Sequence, residues 1–170
     1  MNDMNALKRG LLEALGPHLL ALSFKPVFSQ QSFRRAAPNG WLGLHLAFVN
    51  HDSDFDITLD AGVRFSNVQD AIVGTDREAK HSATIGCEYG RLTGQGQFRW
   101  TVAGAEDVDA VAANIFGACT TTMIPFVEHY ADMGTVLETL KRNDATSRLI
   151  SPIEAYRVRI VEFMSANSVS

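Results

Sequence analysis

A chain of 170 residues, 46% apolar and 20% charged, has the composition of an ordinary globular protein, and one domain over 1–170 is expected. At this length folding buries ~70% of the unfolded surface, so no disulfide or metal staple is required. A net charge of −4 excludes a general nucleic-acid binder, which would show a basic patch; "KRG" and "FRR" are too short to make one.

The first element is helical. Leu7, Leu11, Leu15, Leu19 and Leu22 recur at helical spacing and predict an amphipathic helix over 4–22. Pro17 should kink or restart it, because proline lacks the N–H donor and crowds the preceding turn. Glu13, Gly16, Pro17 and His18 interrupt the apolar run, no basic stretch precedes it, and no small-residue cleavage site follows. It does not read as a signal peptide. No stretch reaches the ~18–20 apolar residues of a membrane span, so no membrane partner is expected. The expected location is cytoplasmic, where Cys87 and Cys119 would be thiols.

The period then changes from helix to strand. "FKPVFSQQSFRR" reads as two short strands around a polar turn, with Pro26 marking an edge position, and "AAPNG" as a loop. Leu42, Leu44, Leu46 and Phe48 alternate, as do Phe55, Ile57, Leu59, Ala61, Val63 and Phe65, which predicts two half-buried strands. A turn centred on Asp52 and Ser53 sets Phe48 against Ile57, Leu46 against Leu59 and Leu42 against Val63. A slip of one residue would oppose every apolar side chain to a polar one.

Asp52, Asp54 and Asp56 fall two apart, as the oxygen ligands of a calcium loop would. An EF-hand opening at Asp52 needs glycine at its sixth position and glutamate at its twelfth, where Ile57 and Val63 stand. The acids instead fit a solvated hairpin: His51 and Asp52 belong to the turn, and Asp54, Asp56, Thr58 and Asp60 to the outer face.

After Phe65, "SNVQDAIVGTDREAKHSA" predicts a short helix and a polar loop, and "ATIGCEYGRL" and "QFRWTV" predict strands joined by "TGQGQ". Gly94 and Gly96 are not a dinucleotide fingerprint, because Arg99 stands at the third glycine and a strand follows where a helix is needed. From Glu106 the pattern is helical, with Val108, Val111, Ile115, Cys119, Thr122 and Phe126 as a stripe and Pro125 distorting its end. Thr135 with Glu138, and Ser151 with Glu154, have capping-box spacing, with Pro152 at the first helical position. Ile153, Tyr156, Ile160 and Met164 form the inward face of the last helix, and the tail over about 165–170 should fray.

The order helix, about six strands, then helices predicts an α+β fold: a mostly antiparallel sheet with the N-terminal and C-terminal helices packed on one face. "LGPHLLALSFKPVFSQQSFRR" resembles the opening of a bacterial family catalogued as domain of unknown function 4304, in the positions of Pro17, Phe24, Lys25, Phe33 and Arg35. Trp100, "AEDVD" and Pro125 stand at its later landmarks, so the resemblance covers roughly 5–140; Ser23 stands where that family usually carries glycine. The resemblance implies the fold and assigns no activity.

Candidate chemistry gathers on the outer face of the hairpin. There His45 faces Asp60, an imidazole beside a carboxylate, and Trp41 faces Arg64, a cation–π pairing. Gly43, Ala47 and Gly62 are small and share that face, which could form a shallow cup. Cys87 reads as a packed thiol, Cys119 as core, and His18, His81 and His129 have no second ligand at i+3 or i+4. No metal or cofactor is expected, and no nucleophile elbow, Walker loop or catalytic carboxylate pair is present.

Two readings follow. One is a non-catalytic module that binds a protein partner, of the inhibitor or immunity type, through Trp41, His45, Asp60 and Arg64. The other is a small hydrolase or small-molecule-binding protein that uses the same face, His45 and Asp60 acting with a polar neighbour.

Overall fold

The computed structural model describes residues 3–76 and 79–168. Asp3 starts the first helix, its carboxylate accepting from Asn5 N at 3.0 Å and from Ala6 N. The helix, α1 (Met4–Ala21), runs unbroken through Pro17. Its end is a Schellman motif: Phe24 N–H reaches Leu19 O and Ser23 N–H reaches Leu20 O, both at 2.9 Å. Closing that motif puts Ser23 at φ 68°, the left-handed region that glycine occupies without strain.

Strands β1 (Lys25–Val27), β2 (Ser32–Ala37), β3 (Gly40–Asn50) and β4 (Phe55–Phe65) form a meander, with β1 and its Pro26 at the edge. Later strands β5 (Ile85–Glu88) and β6 (Trp100–Val102) both pair with β4, completing a six-stranded sheet in which every pairing is antiparallel. Parity left a slip of two residues open, and the central register is the one that a turn at Asp52 and Ser53 gives: Phe48 opposes Ile57, Leu46 opposes Leu59 and Leu42 opposes Val63. The fold class is α+β.

Phe33, Leu44, Leu46, Ile57 and Leu59 are fully buried on one face of this sheet, in one core with Leu11, Leu15 and Leu19 of α1. Each such side chain contributes ~1.5–3 kcal/mol relative to exposure. Helix α4 (Ala105–Ala118) lies along α1, and α5 (Ile124–His129) packs on β3 and β4, pinned by a 2.7 Å ion pair between Arg35 and Glu128. Between α4 and α5 a π turn, Cys119–Met123, ends in a bond from Ile124 N–H to Cys119 O, just before Pro125. Ile115, Cys119 and Phe126 are buried and Val108 and Val111 pack against the core as expected; past the wider turn the stripe rotates, so that Met123 and Val127 are fully buried and Thr122 is not.

The 105–129 run also corrects the expectation that no segment is long and apolar enough to cross a membrane. By length and composition this one is, and its inward residues belong to the core.

Local signals failed at several boundaries. The strand expected over 83–92 is confined to Ile85–Glu88, and α3 (Tyr89–Leu92) follows it; β6 starts only at Trp100. Neither expected capping box forms. Asp132 caps α6 (Met133–Lys141) by accepting from Thr135 N at 2.8 Å, so Thr135 is already inside the helix. Ser151 ends α7 (Ala145–Ile150), whose box is Asp144 with Ser147. Helix α8 (Glu154–Asn167) buries Arg157, Ile160 and Met164, whereas Ile153, expected inside, is 67% exposed. It stays helical through Asn167, so the frayed tail does not begin at 165; residues 169–170 lie outside the described residues. Helix α2 (Ser66–Ile72) falls where expected and packs on α8.

Candidate functional site

Outward-facing residues line up in rows across the sheet. Ser32, His45, Asp60 and Glu88 are successive cross-strand partners on β2, β3, β4 and β5. In the next row stand Arg34, Gly43, Gly62 and Gly86. Three glycines side by side lower the sheet surface, and neighbours settle into the space. A Cβ at Gly43 would come within 2.7 Å of the Trp41 ring, and one at Gly62 within 2.7 Å of Ala83 Cβ. The result is a concave cup of about 470 Å³, walled by Trp41, the loop carrying His81 and Ala83, Arg91 of α3, and Leu149 and Pro152.

His45 and Asp60 come together loosely. Nδ1 and Oδ2 are 3.5 Å apart, at the outer limit of a hydrogen bond, and the side chains are 47% and 41% exposed. Ser32 completes a Ser–His–Asp row in register, but its hydroxyl makes no hydrogen bond and its residue is only 4% exposed.

Trp41 carries a guanidinium, though not the one expected. Arg34, one strand over, stacks on the indole with its Cζ 4.3 Å from the ring centroid. Its Nη1 donates to His81 Nδ1 at 3.1 Å, which requires that nitrogen to be the unprotonated one. Among the described residues no carboxylate pairs with Arg34, and its Nε is buried without a hydrogen bond. Burial, and secondarily the charge of Arg64, lower the Arg34 pKa from its ordinary value.

Arg64 is the correction at this site. It is Trp41's cross-strand partner, as the register predicts, but it is 4% exposed and does not line the cup. Its Nη1 donates to Ala79 O at 2.6 Å and Ser82 O at 2.8 Å, and its Nη2 to Asp70 at 2.9 Å. These three acceptors lie on the 70–82 segment and hold the guanidinium there, while the indole stacks on Arg34 instead. Gln69 helps from behind, donating to Ser82 Oγ at 2.8 Å. Together they hold the loop that forms the His81–Ala83 wall. Arg64 is a buried anchor for the cup and not a surface contact.

Neither cysteine is activated. Cys87 lies on the apolar face of β5; burial above all pushes its thiol up to about 11, Asp60 and Glu88 adding to the effect and Arg91 opposing it. Burial pushes Cys119 up to about 12. A thiol so raised stays protonated and weakly nucleophilic near neutral pH. Of the hairpin acids Asp56 is the most partnered: it accepts from Thr101 Oγ1 at 2.7 Å, lies 3.1 Å from His51 Nε2, and reaches Arg99 at 3.5 Å. Among the described residues no three His, Cys, Asp or Glu side chains gather as a metal site would require.

Ser32, Arg34, His81 and Glu88 were not anticipated. The first two had a signal: with Phe33 inward, parity turns Ser32 and Arg34 outward, and a turn at Pro38 and Asn39 sets them beside His45 and Gly43. Glu88 and His81 had none, because β5 reaches β4 only after a helix and a loop. Against protein-family models, curated proteins and solved structures, no match to this chain is found.

Proposed function

We propose that this domain is a non-catalytic binding module whose occupant is a small molecule held in the cup. The observation that carries the reading is the concavity itself: a row of three glycines lets Trp41 and Ala83 lie against the sheet, around about 470 Å³ of space. Sites for small molecules are concave, ~300–1,000 Å³, and mix apolar walls with a few placed polar groups. Trp41 and Leu149 supply the first, and Arg34, His45 and Asp60 the second. A protein partner of the inhibitor or immunity type would use a broad surface, and a recessed floor favours it less.

A fragment screen by two-dimensional NMR tests this. Binders should perturb the Trp41 indole and the amides of Gly43, Gly62 and Gly86, and Ala83→Phe, which fills the cup, should abolish the effect without lowering the melting temperature. A screen in which no fragment perturbs those signals would overturn it.

The second reading, a hydrolase, is favoured by the Ser32–His45–Asp60 row alone. It requires Ser32 to become accessible and to bond His45, as nucleophile and base must. Hydrolysis of activated esters that disappears in Ser32→Ala would favour it over binding alone.

A further inference from the structure

The cup has a donor-rich end at which Arg34 meets no carboxylate among the described residues. Ser32 and Arg34 are two apart on β2, separated by Phe33, whose ring is in the core. Residues so spaced lie ~6.6 Å apart along a strand, a gap that two hydrogen bonds of ~2.9 Å to one shared group can bridge. Both line the cup and hold a buried polar atom with no partner, Ser32 Oγ and Arg34 Nε, which must open to a ligand as a nucleophilic Ser32 would have to. Buried polar atoms of this kind are rare, because each carries an unrecovered desolvation cost.

Arg34 is also held in position. Its face lies on Trp41 and its Nη1 on His81, so the Nε–Nη2 edge is the part of the fork that remains. Two parallel N–H groups on that edge match the two oxygens of a carboxylate. The nearby guanidinium of Arg64, saturated by Ala79, Ser82 and Asp70, adds positive charge at the same end.

We infer that the occupant of the cup is a small monocarboxylate, its carboxylate accepting from the Nε–Nη2 edge of Arg34 and from the hydroxyl of Ser32. This rests on the cup being a small-molecule site. The choice of a monoanion follows from the rest of the row. Asp60 and Glu88 lie one and two strands beyond His45 and line the same cup, where they oppose a second negative charge such as that of a phosphate.

The experiment is a matched titration of the full chain with benzoate and phenylacetate, their carboxamides, and inorganic phosphate, at constant ionic strength. The readouts are the Arg34 Nε–Hε resonance and the Gly43 and Gly62 amides. The carboxylates should shift all three and bind about tenfold or more tightly than the amides, since a charged acceptor strengthens each hydrogen bond. Arg34→Gln should erase that preference, and Ser32→Ala, which leaves the fork in place, should weaken carboxylate binding alone. Carboxamides that bind as well as carboxylates would overturn the carboxylate and leave the cup a binding site. Phosphate that binds more tightly than the carboxylates would overturn the monoanion. If no probe shifts the glycine amides, both this inference and the small-molecule reading fall.

Discussion

The two faces of the β3–β4 hairpin are built from alternate residues of the same two strands, yet they follow different rules. Leu46 and Leu59 face each other on one side and are fully buried, while their neighbours His45 and Asp60 face each other on the other side, nearly half-exposed. The inner face is specified by shape alone, since any apolar side chain of fitting volume satisfies it. The outer face is specified by partners: a guanidinium there is an anchor or a ligand donor according to which acceptors surround it. Arg64 has three and is structural; Arg34 has an indole, an imidazole and a buried Nε with nothing to bond. Two guanidiniums on one sheet face therefore have different surroundings, one saturated with acceptors and one with a buried donor left over.

The largest effect should come from the inner face. Leu46→Ala removes contacts from a close-packed core and should cost ~2–5 kcal/mol in denaturant unfolding. A loss no larger than that of an outer-face substitution would erase the distinction between the faces.

The two arginines sharpen it. Arg64→Ala leaves the Ser82 carbonyl without the guanidinium that donates to it, removes one donor from Ala79 O and unpairs Asp70, and should cost on the order of 1–3 kcal/mol, with loss of the ordered 79–83 wall. Arg34→Gln should leave the melting temperature unchanged or raise it, because burial and Arg64 already oppose that charge. Equal destabilisation by the two variants would make Arg34 structural as well.

The smallest effect is at the hairpin's far end, where the Thr101 hydroxyl first, then His51 and Arg99, hold the Asp56 carboxyl below its ordinary pKa of 3.8. A folded pKa lower than the unfolded one means that ionisation favours folding. The contribution is present above pH ~4 and is lost as the pH falls through the depressed value, and for so exposed a cluster it should stay below ~1 kcal/mol. Asp56→Asn should flatten that acid limb in melts taken from pH 6 to pH 2. An unchanged limb would mean that the bonds joining β4 and β6 do not persist in solution.

Sequence by itself determined what depends on neighbours along the chain. Alternation over 42–48 and 55–65, with a turn at Asp52 and Ser53, set the hairpin register, since one slip would bury the acids and expose the leucines. The leucine spacing set α1, and the paired strands around "SQQ" set the sheet edge. Tertiary structure decided the rest, because it depends on what meets a residue from elsewhere. Asp132 caps α6 ahead of Thr135, and α8 starts at Glu154 behind Ile153 with no side-chain cap from Ser151, because chain entry, not spacing, decides which group lies over the free N–H groups. Arg64 is buried because the 79–83 loop returns against it with carbonyls that accept its N–H groups. The cup exists only because β5, arriving from beyond α2, brings Gly86 beside Gly62 and Glu88 beside Asp60. Parity can say that a side chain points outward; only the elements packed around that face decide whether outward means water, a buried anchor or the wall of a binding site.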